Sequence, residues 1–131
     1  MSDPGGAART ISYRRVVDLS HLIDPRIPLW PGDPPIVFET VAELTRDGYH
    51  LRRFSMGEHS ATHLNAPSSF YGVDEDDTFE INRHVLAHGG IVLENLANLD
   101  QLPPTGSTLV IGILRLRHGT GSPAAVTAFV T

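Results

Sequence analysis

Half of the ten prolines in this 131-residue chain lie between residues 25 and 35, and they limit what that segment can become. A proline lacks the backbone donor that a helix interior or a central strand requires. The segment is therefore predicted to be an extended surface loop. It carries Trp30, which can form a wall of a ligand pocket, pack on a partner subunit or pack against its own core.

Short apolar runs bounded by glycine, proline and polar residues predict that strands make up most of the fold. Strands are predicted at residues 16–21, 36–44, 50–56, 91–94, 108–116 and 125–130. Asp47-Gly48 indicates a hairpin between the second and third of these. The strand at 91–94 is predicted to be buried, and those at 108–116 and 125–130 to be core strands.

The remaining segments predict short helices and turns. A helix is expected at residues 79–88, ended by Gly89 and Gly90, and a helical connection at 95–102. A turn is expected at 119–123, and the acidic stretch 71–77 is interpreted as a solvated loop. The length is that of one domain, so we expect an α/β domain at 16–131 behind a flexible tail at 1–15.

Composition narrows the function. A net charge of -5 and a pI near 5.7 argue against nucleic acid, whose phosphates require a basic surface. The chain has no cysteine, so a metal would need histidine, aspartate or glutamate ligands. The longest apolar run, residues 109–114, is too short to cross a bilayer, and no hydrophobic signal region is present at the N-terminus. A cytoplasmic protein that does not bind membranes is expected.

Residues 56–70 concentrate the polar side chains. His59 and His63 lie four apart, so on a helical turn their rings could share a metal ion. The spacing alone does not identify a metal site, because His84 and His88 have it too. Glu94, at the end of a predicted buried strand, must find a partner or stay protonated. The same stretch also contains Glu58, Ser60, Thr62 and Asn65.

Six motifs of this chain resemble, in order, motifs of the cyclase family, the metal-dependent hydrolases that include bacterial kynurenine formamidase and isatin hydrolase. The motifs are Asp18-Leu-Ser-His, Trp30-Pro-Gly-Asp-Pro, His59-Ser-Ala-Thr-His, Asn65-Ala-Pro, Glu94-Asn-Leu-Ala-Asn-Leu and Gly119-Thr-Gly-Ser-Pro. The resemblance implies a swivelling β/β/α fold, strand-rich and here truncated in the middle between Phe70 and Phe79. It also implies a homodimer or homotetramer.

The chain departs from the family signature His-x-Gly-Thr-His-x-Asp-x-Pro-x-His. Ala61 replaces the glycine, Asn65 stands at the metal-binding aspartate and Ser69 at the catalytic histidine. Glu94 matches a metal-ligand glutamate. Counting back from it, the other ligand histidine falls on Asn82, or on His84 after a slip of two residues. Ala125 occupies the place where an arginine is expected.

A neutral amide oxygen binds divalent cations far more weakly than a carboxylate does. The sequence therefore predicts a pocket without metal or other cofactor, in a metal-independent cyclase-like enzyme. Its substrate would be a small, largely apolar metabolite undergoing ring closure or rearrangement, for example a polyketide. The predicted catalytic residues are His59, His63 and Glu94, and the predicted substrate-binding residues are Trp30, Asn65, Ser69, Phe70 and Asn82.

Two alternatives remain open. One is a mononuclear metal-dependent amidase or lactonase with a single zinc or manganese ion held by His59, His63 and Glu94. The other is a catalytically inactive remnant that binds a ligand or serves a structural role.

Overall fold

The computed structural model describes residues 10–70 and 79–131, and of Phe70 the backbone only. These residues contain seven strands, two α-helices and two short 3-10 turns. The strands are β1 (Arg15–Asp18), β2 (Val37–Ala42), β3 (Leu51–Ser55), β4 (His63–Asn65), β5 (Val92–Glu94), β6 (Ser107–Ile113) and β7 (Gly121–Val130). The helices are α1 (Leu44–Asp47) and α2 (Glu80–Ala87), and the turns are Pro67–Phe70 and Leu99–Gln101.

Strand β7 organises the main five-stranded sheet. It pairs directly with β1, β4 and β6, and β5 lies one strand further away. On one side β7 pairs antiparallel with β6, from Ala124 to Val130. On its other side the end of β7 pairs with β1, and its start, Gly121 to Pro123, pairs with β4. Strand β5 then extends the sheet beyond β4.

The hydrophobic core lies against β7 and β1. Alternate residues of β7, Val126, Ala128 and Val130, point inward together with Val17 of β1 and Leu19 just after it. This period of two is what a strand with one buried face requires. Partly buried side chains complete the cluster: Leu93, Leu96, Leu102, Ile111 and Ala124.

Strands β2 and β3 form a separate two-stranded antiparallel sheet. Strands β2 and β3 are joined by helix α1 and not by the tight turn predicted at Asp47-Gly48. Leu44, which was predicted to end the strand, is the first residue of this helix. Gly48 ends this helix in the left-handed region, with φ at 77°, and its N–H donates to the Leu44 carbonyl. Glycine adopts that conformation without steric cost, which explains the end of the helix.

The turn predicted at residues 119–123 is wrong for its last three residues, because β7 already begins at Gly121. The Ala124 N–H donates to the Thr62 carbonyl, so the Pro123 nitrogen points to the opposite side, beyond the end of β6. Pro123 thus loses no ladder hydrogen bond, and the strand continues through it.

Three other predictions need adjustment. Strand β6 ends at Ile113 and is an edge strand among the described residues, with Leu109, Val110 and Ile113 exposed, so it is not a core strand. Strand β5 is half-buried instead of buried. The connection 95–102 is helical only at Leu99–Gln101.

Helix α2 confirms the helix predicted at 79–88, and the irregular path of residues 25–35 confirms the loop. The expected truncation and the acidic loop fall on residues 71–78, which lie outside the described residues. No helix within the described ranges is long and apolar enough to cross a membrane.

Leu19 offers a direct test of this core. It is fully buried, whereas Leu22, three residues later, is 82% exposed. Leu19→Ala should lower the free energy of unfolding by about 2–5 kcal/mol, because it removes buried methyl groups and leaves a cavity. Leu22→Ala should change it by less than about 0.5 kcal/mol. Urea denaturation measures both, and equal effects would contradict the placement of the core.

Candidate functional site

Strand β4 brings three of the predicted site residues onto one face of the sheet. His63 lies directly opposite Glu94 of β5 on one side and Pro123 of β7 on the other. Asn65, two residues further along β4, shares the face of His63 because strand side chains alternate. An imidazole, a carboxylate and an amide are therefore neighbours as a consequence of strand register alone.

These side chains form one wall of a cavity of about 640 Å³. The proline-rich loop forms another wall, where the Trp30 ring lies 5.6 Å from the Phe79 ring, centroid to centroid. The cavity is lined by Pro28, Leu29, Trp30, Asp33, His59, Ser60, His63, Asn65, Ser69, Phe79, Asn82, Glu94 and Asn95. A cavity with apolar walls and a few convergent polar groups is typical of a small-molecule site.

The Asn65 amide connects the two halves of the polar wall. Its Oδ1 lies 2.6 Å from Nδ1 of His59, and its side chain also acts on the Glu94 carboxylate, where it helps to lower the pKa of that group. Because an ionised carboxylate only accepts, the NH₂ end of the amide must face Glu94 and the oxygen end must face His59. His59 Nδ1 is then the donor to Asn65.

Glu94 is held by Asn82, Asn65 and His63. The Asn82 Nδ2 donates to Oε1 at 2.6 Å, and Oε2 lies 2.9 Å from Nε2 of His63. Burial, the largest single contribution, favours the neutral acid, but the hydrogen bonds from Asn82 and Asn65 and the interaction with His63 outweigh it. Together they lower the pKa of Glu94 below its ordinary value, so this carboxylate is ionised at neutral pH.

His63 is buried, and both of its nitrogens face acceptors. Nδ1 lies 2.9 Å from the Ala61 carbonyl, which can only accept, so Nδ1 carries a hydrogen. Nε2 is close to Glu94 Oε2, yet its N–H direction does not meet hydrogen-bond geometry, and Nε2 has no hydrogen-bond partner among the described residues. The contact is therefore a close acid–base pair in the wall of the cavity.

A second carboxylate holds His59 from the other side. Glu58 Oε2 accepts hydrogen bonds from the Thr120 N–H at 2.8 Å, the Gly121 N–H at 3.2 Å and the Thr120 hydroxyl at 3.2 Å. The backbone N–H of Thr120 is the main cause of the lowered pKa of Glu58. The Thr120 hydroxyl also lies 3.0 Å from His59 Nε2, so Thr120 lies between Glu58 and the His59 ring.

The helical turn expected to bring His59 and His63 together is not present. Ala61 adopts a left-handed conformation with φ at 57°, which interrupts any helix, and His63 already belongs to β4. The ring centroids nevertheless lie 5.5 Å apart. Asn95 stabilises this turn, since its Nδ2 donates to the Ala61 carbonyl and its own carbonyl accepts from the Thr62 hydroxyl. The left-handed φ explains why a glycine suits position 61 in the family signature.

Seven of the eight predicted site residues line the cavity; the side chain of the eighth, Phe70, lies outside the described part. Asn82 contacts Glu94, whereas His84 is exposed on α2 and does not line the cavity, which decides between the two. Ser69 donates its hydroxyl hydrogen to the Thr120 carbonyl. Sequence reasoning did not assign to the site Pro28, Leu29, Asp33, Ser60, Phe79, or the positioning pair Glu58 and Thr120.

The sequence comparisons identify the family. A family model described as "Putative cyclase" matches residues 17–120, so the chain belongs to the cyclase family. It is similar to kynurenine formamidase from Geobacillus thermodenitrificans, with 34% identity over 55 residues, 41% of this chain and 26% of that protein. The kynurenine formamidase of Erythrobacter litoralis is 37% identical over 57 residues, 43% of this chain. Each alignment thus spans about a quarter of the relative, 26% in both cases.

Solved structures show the same fold. Isatin hydrolase A from Labrenzia aggregata, bound to benzyl benzoate, superposes with a TM-score of 0.74 at 19% identity, covering 89% of this chain and 94% of that one. Isatin hydrolase A from Ralstonia solanacearum gives a TM-score of 0.75 at 16% identity, covering 89% and 92%. The strand-rich α/β architecture is therefore the swivelling β/β/α fold of the cyclase family.

The residues present do not fit the metal centre that the family resemblance implies. A ligand atom must offer a free lone pair, and His59 Nδ1 offers none as the donor to Asn65, while Nε2 faces the Thr120 hydroxyl at 3.0 Å. Asn65 and Asn82 are neutral, and each turns its NH₂ group toward Glu94. Among the described residues, no group of three or more histidine, aspartate or glutamate side chains is arranged to hold a metal ion.

Gly121 makes room for His59. A Cβ built on Gly121 would lie 2.5 Å from Cε1 of that ring. Gly121→Ala should therefore displace the His59 ring and lower the free energy of unfolding by about 1–3 kcal/mol. Gly112→Ala is the matched control, because its nearest neighbour is an ordinary 3.6 Å away. Urea denaturation and a crystal structure of each variant measure the two effects, and an undisturbed His59 in the Gly121 variant would contradict the packing.

The hydrogen bonds to Glu58 predict a pH dependence of stability. A carboxyl whose pKa is lowered on folding stabilises the folded state above its ordinary pKa, here 4.5, and loses that contribution as pH falls through the lower folded value. Glu58→Gln should thus lower Tm by a few degrees at pH 7, with the difference disappearing in acid. Glu43→Gln, at an exposed residue, is the control. A difference in Tm that is constant with pH would contradict the ionised anchor.

Proposed function

We propose that this member of the cyclase family is an enzyme that closes or rearranges a ring in a small, largely apolar carbonyl compound without a metal ion. The observation that carries the proposal is the 2.9 Å pair of His63 Nε2 and Glu94 Oε2 at the wall of a cavity. A polyketide-type chain, with carbonyl groups along an apolar body, has the chemistry that such a pair can use.

Glu94 is the base in this proposal. Its lowered pKa keeps it ionised at neutral pH, and it would remove a proton from a carbon next to a substrate carbonyl. The resulting carbanion attacks a second carbonyl carbon of the same molecule, forming the ring C–C bond while the carbonyl π bond becomes an alkoxide. Holding both ends of the substrate in one cavity supplies the proximity that ring closure needs.

His63 is the acid. Its Nε2–H would protonate the alkoxide, which leaves a neutral imidazole 2.9 Å from the protonated Glu94. Transfer of the proton from Oε2 to Nε2 restores both groups, so no proton is gained or lost over the cycle. The Ala61 carbonyl keeps the hydrogen on Nδ1 and thereby reserves Nε2 for this exchange.

The other predicted residues position this pair. Asn82 and Asn65 orient the Glu94 carboxylate, and His59 fixes the Asn65 amide. Trp30 and Phe79 form an aromatic wall for the apolar body of the substrate. A small-molecule partner and assembly as a homodimer or homotetramer complete the proposal.

Ring closure of 1-phenylhexane-1,5-dione by protein freed of metal with EDTA tests this directly. We expect the cyclic hydroxyketone, an isomer separable by chromatography, to form faster than in buffer. Glu94→Gln and His63→Gln should each reduce the rate at least about 100-fold, because each removes one proton-transfer group. His84→Gln, on the exposed side of α2, should retain the wild-type rate.

Two other results would overturn the proposal. Activity that disappears with EDTA, returns with Zn²⁺ or Mn²⁺ and acts on an amide or lactone would favour a mononuclear hydrolase. No acceleration by the wild-type protein on this diketone or on amide and lactone substrates would favour the catalytically inactive reading.

A further inference from the structure

Ser60 carries a buried hydroxyl that nothing in the described part of the chain binds. The residue is 2% exposed, it lines the cavity, and its Oγ has no hydrogen-bond partner among the described residues. His63 Nε2, at the same cavity, also lacks a hydrogen bond of good geometry, although Glu94 Oε2 lies 2.9 Å from it. A buried hydroxyl without a partner is costly, so Ser60 beside this pair points to a ligand atom that its hydroxyl would contact.

The local backbone holds the Ser60 hydroxyl in place. The Ser60 N–H donates to the Gly57 carbonyl at 3.2 Å, closing a tight turn. A Cβ built on Gly57 would lie 3.0 Å from Ser60 Oγ, closer than most side chains tolerate, so glycine leaves the space in which the hydroxyl sits. The turn thus fixes the backbone of Ser60 beside the cavity.

Ser122 shows what a structural buried serine looks like in this chain. It is 3% exposed, nearly as buried as Ser60, but its Oγ accepts from the Leu114 N–H at 2.9 Å and donates to the Pro123 carbonyl at 2.7 Å. Both functions of that hydroxyl are satisfied within the protein, whereas neither is for Ser60. Burial alone therefore does not account for the unpaired state of Ser60.

We propose that Ser60 and His63 together hold the carbonyl oxygen that becomes the alkoxide, so that Ser60 is a further substrate-binding residue. This inference rests on the proposed function and names the substrate class more closely, as a compound whose reacting ketone adjoins an aromatic or conjugated body. In this proposal, two hydrogen-bond donors at one oxygen would stabilise the charge that develops there. The aromatic wall of Trp30 and Phe79 would receive the conjugated part.

Binding of benzoylacetone tests this without turnover. Trp30, the only tryptophan, lines the cavity and reports binding by its fluorescence. Ser60→Ala should weaken benzoylacetone binding about tenfold, the factor expected for one lost hydrogen bond, while binding of butylbenzene, which lacks the oxygens, stays unchanged. Ser60→Cys, with a weakly donating thiol, should fall between serine and alanine.

The stability of the same variants separates a ligand-binding role from a structural one. Removing an unpaired buried hydroxyl should leave Tm of Ser60→Ala unchanged or raised. The control Ser122→Ala should lower Tm and leave benzoylacetone binding unchanged.

The inference is overturned if wild-type protein does not bind benzoylacetone, if Ser60→Ala binds it equally well, or if that variant loses benzoylacetone and butylbenzene alike. A Glu94→Gln variant that still binds benzoylacetone but no longer catalyses ring closure tests the proposed function only, and not the role of Ser60.

Discussion

The position of the Asn65 amide between His59 and Glu94 is the interaction on which the site depends. One end of the amide meets the His59 ring and the other end meets the Glu94 carboxylate. A carboxylate at this position would place a second negative charge beside Glu94, which favours a bound cation or a shared proton. The amide removes that requirement, because it can donate to one neighbour and accept from the other. The network can therefore be complete without a metal ion.

The fold supports this network at two points of close backbone approach. Gly121 lies opposite Asn65 and leaves the volume that the His59 ring fills. Ala61 takes a left-handed conformation that turns the chain from His59 into β4, and Asn95 binds its carbonyl. Gly121 belongs to the pairing of β4 and β7, and Ala61 lies two residues before β4 begins. The sheet that contains the core thus also sets the positions of the polar groups.

The strands and helices could be predicted where the sequence signal is local. Examples are strand β3 and helix α2, which ends before the glycines at 89 and 90. The predictions failed where a tertiary contact decides, as at Pro123, which continues β7 because its missing donor faces away from the ladder. The choice between Asn82 and His84 also needed the structure, since only the orientation of α2 against Glu94 settles it. Ser60 was noted in the polar stretch 56–70 but not assigned to the site, because a lone serine gives no sequence signal and its unpaired hydroxyl is a property of the packed state.

Calorimetric titration of Zn²⁺ and Mn²⁺ into untagged, metal-stripped protein shows whether this site holds a metal ion. We expect no stoichiometric binding to the wild-type chain. We also expect Asn65→Asp combined with Asn82→His and Ser69→His to gain a site, because these changes supply the charge and the lone pairs that the amides and the hydroxyl lack. Stoichiometric binding to the wild-type protein that is lost in His59→Ala and Glu94→Ala would show that the amide network does not replace a metal ion.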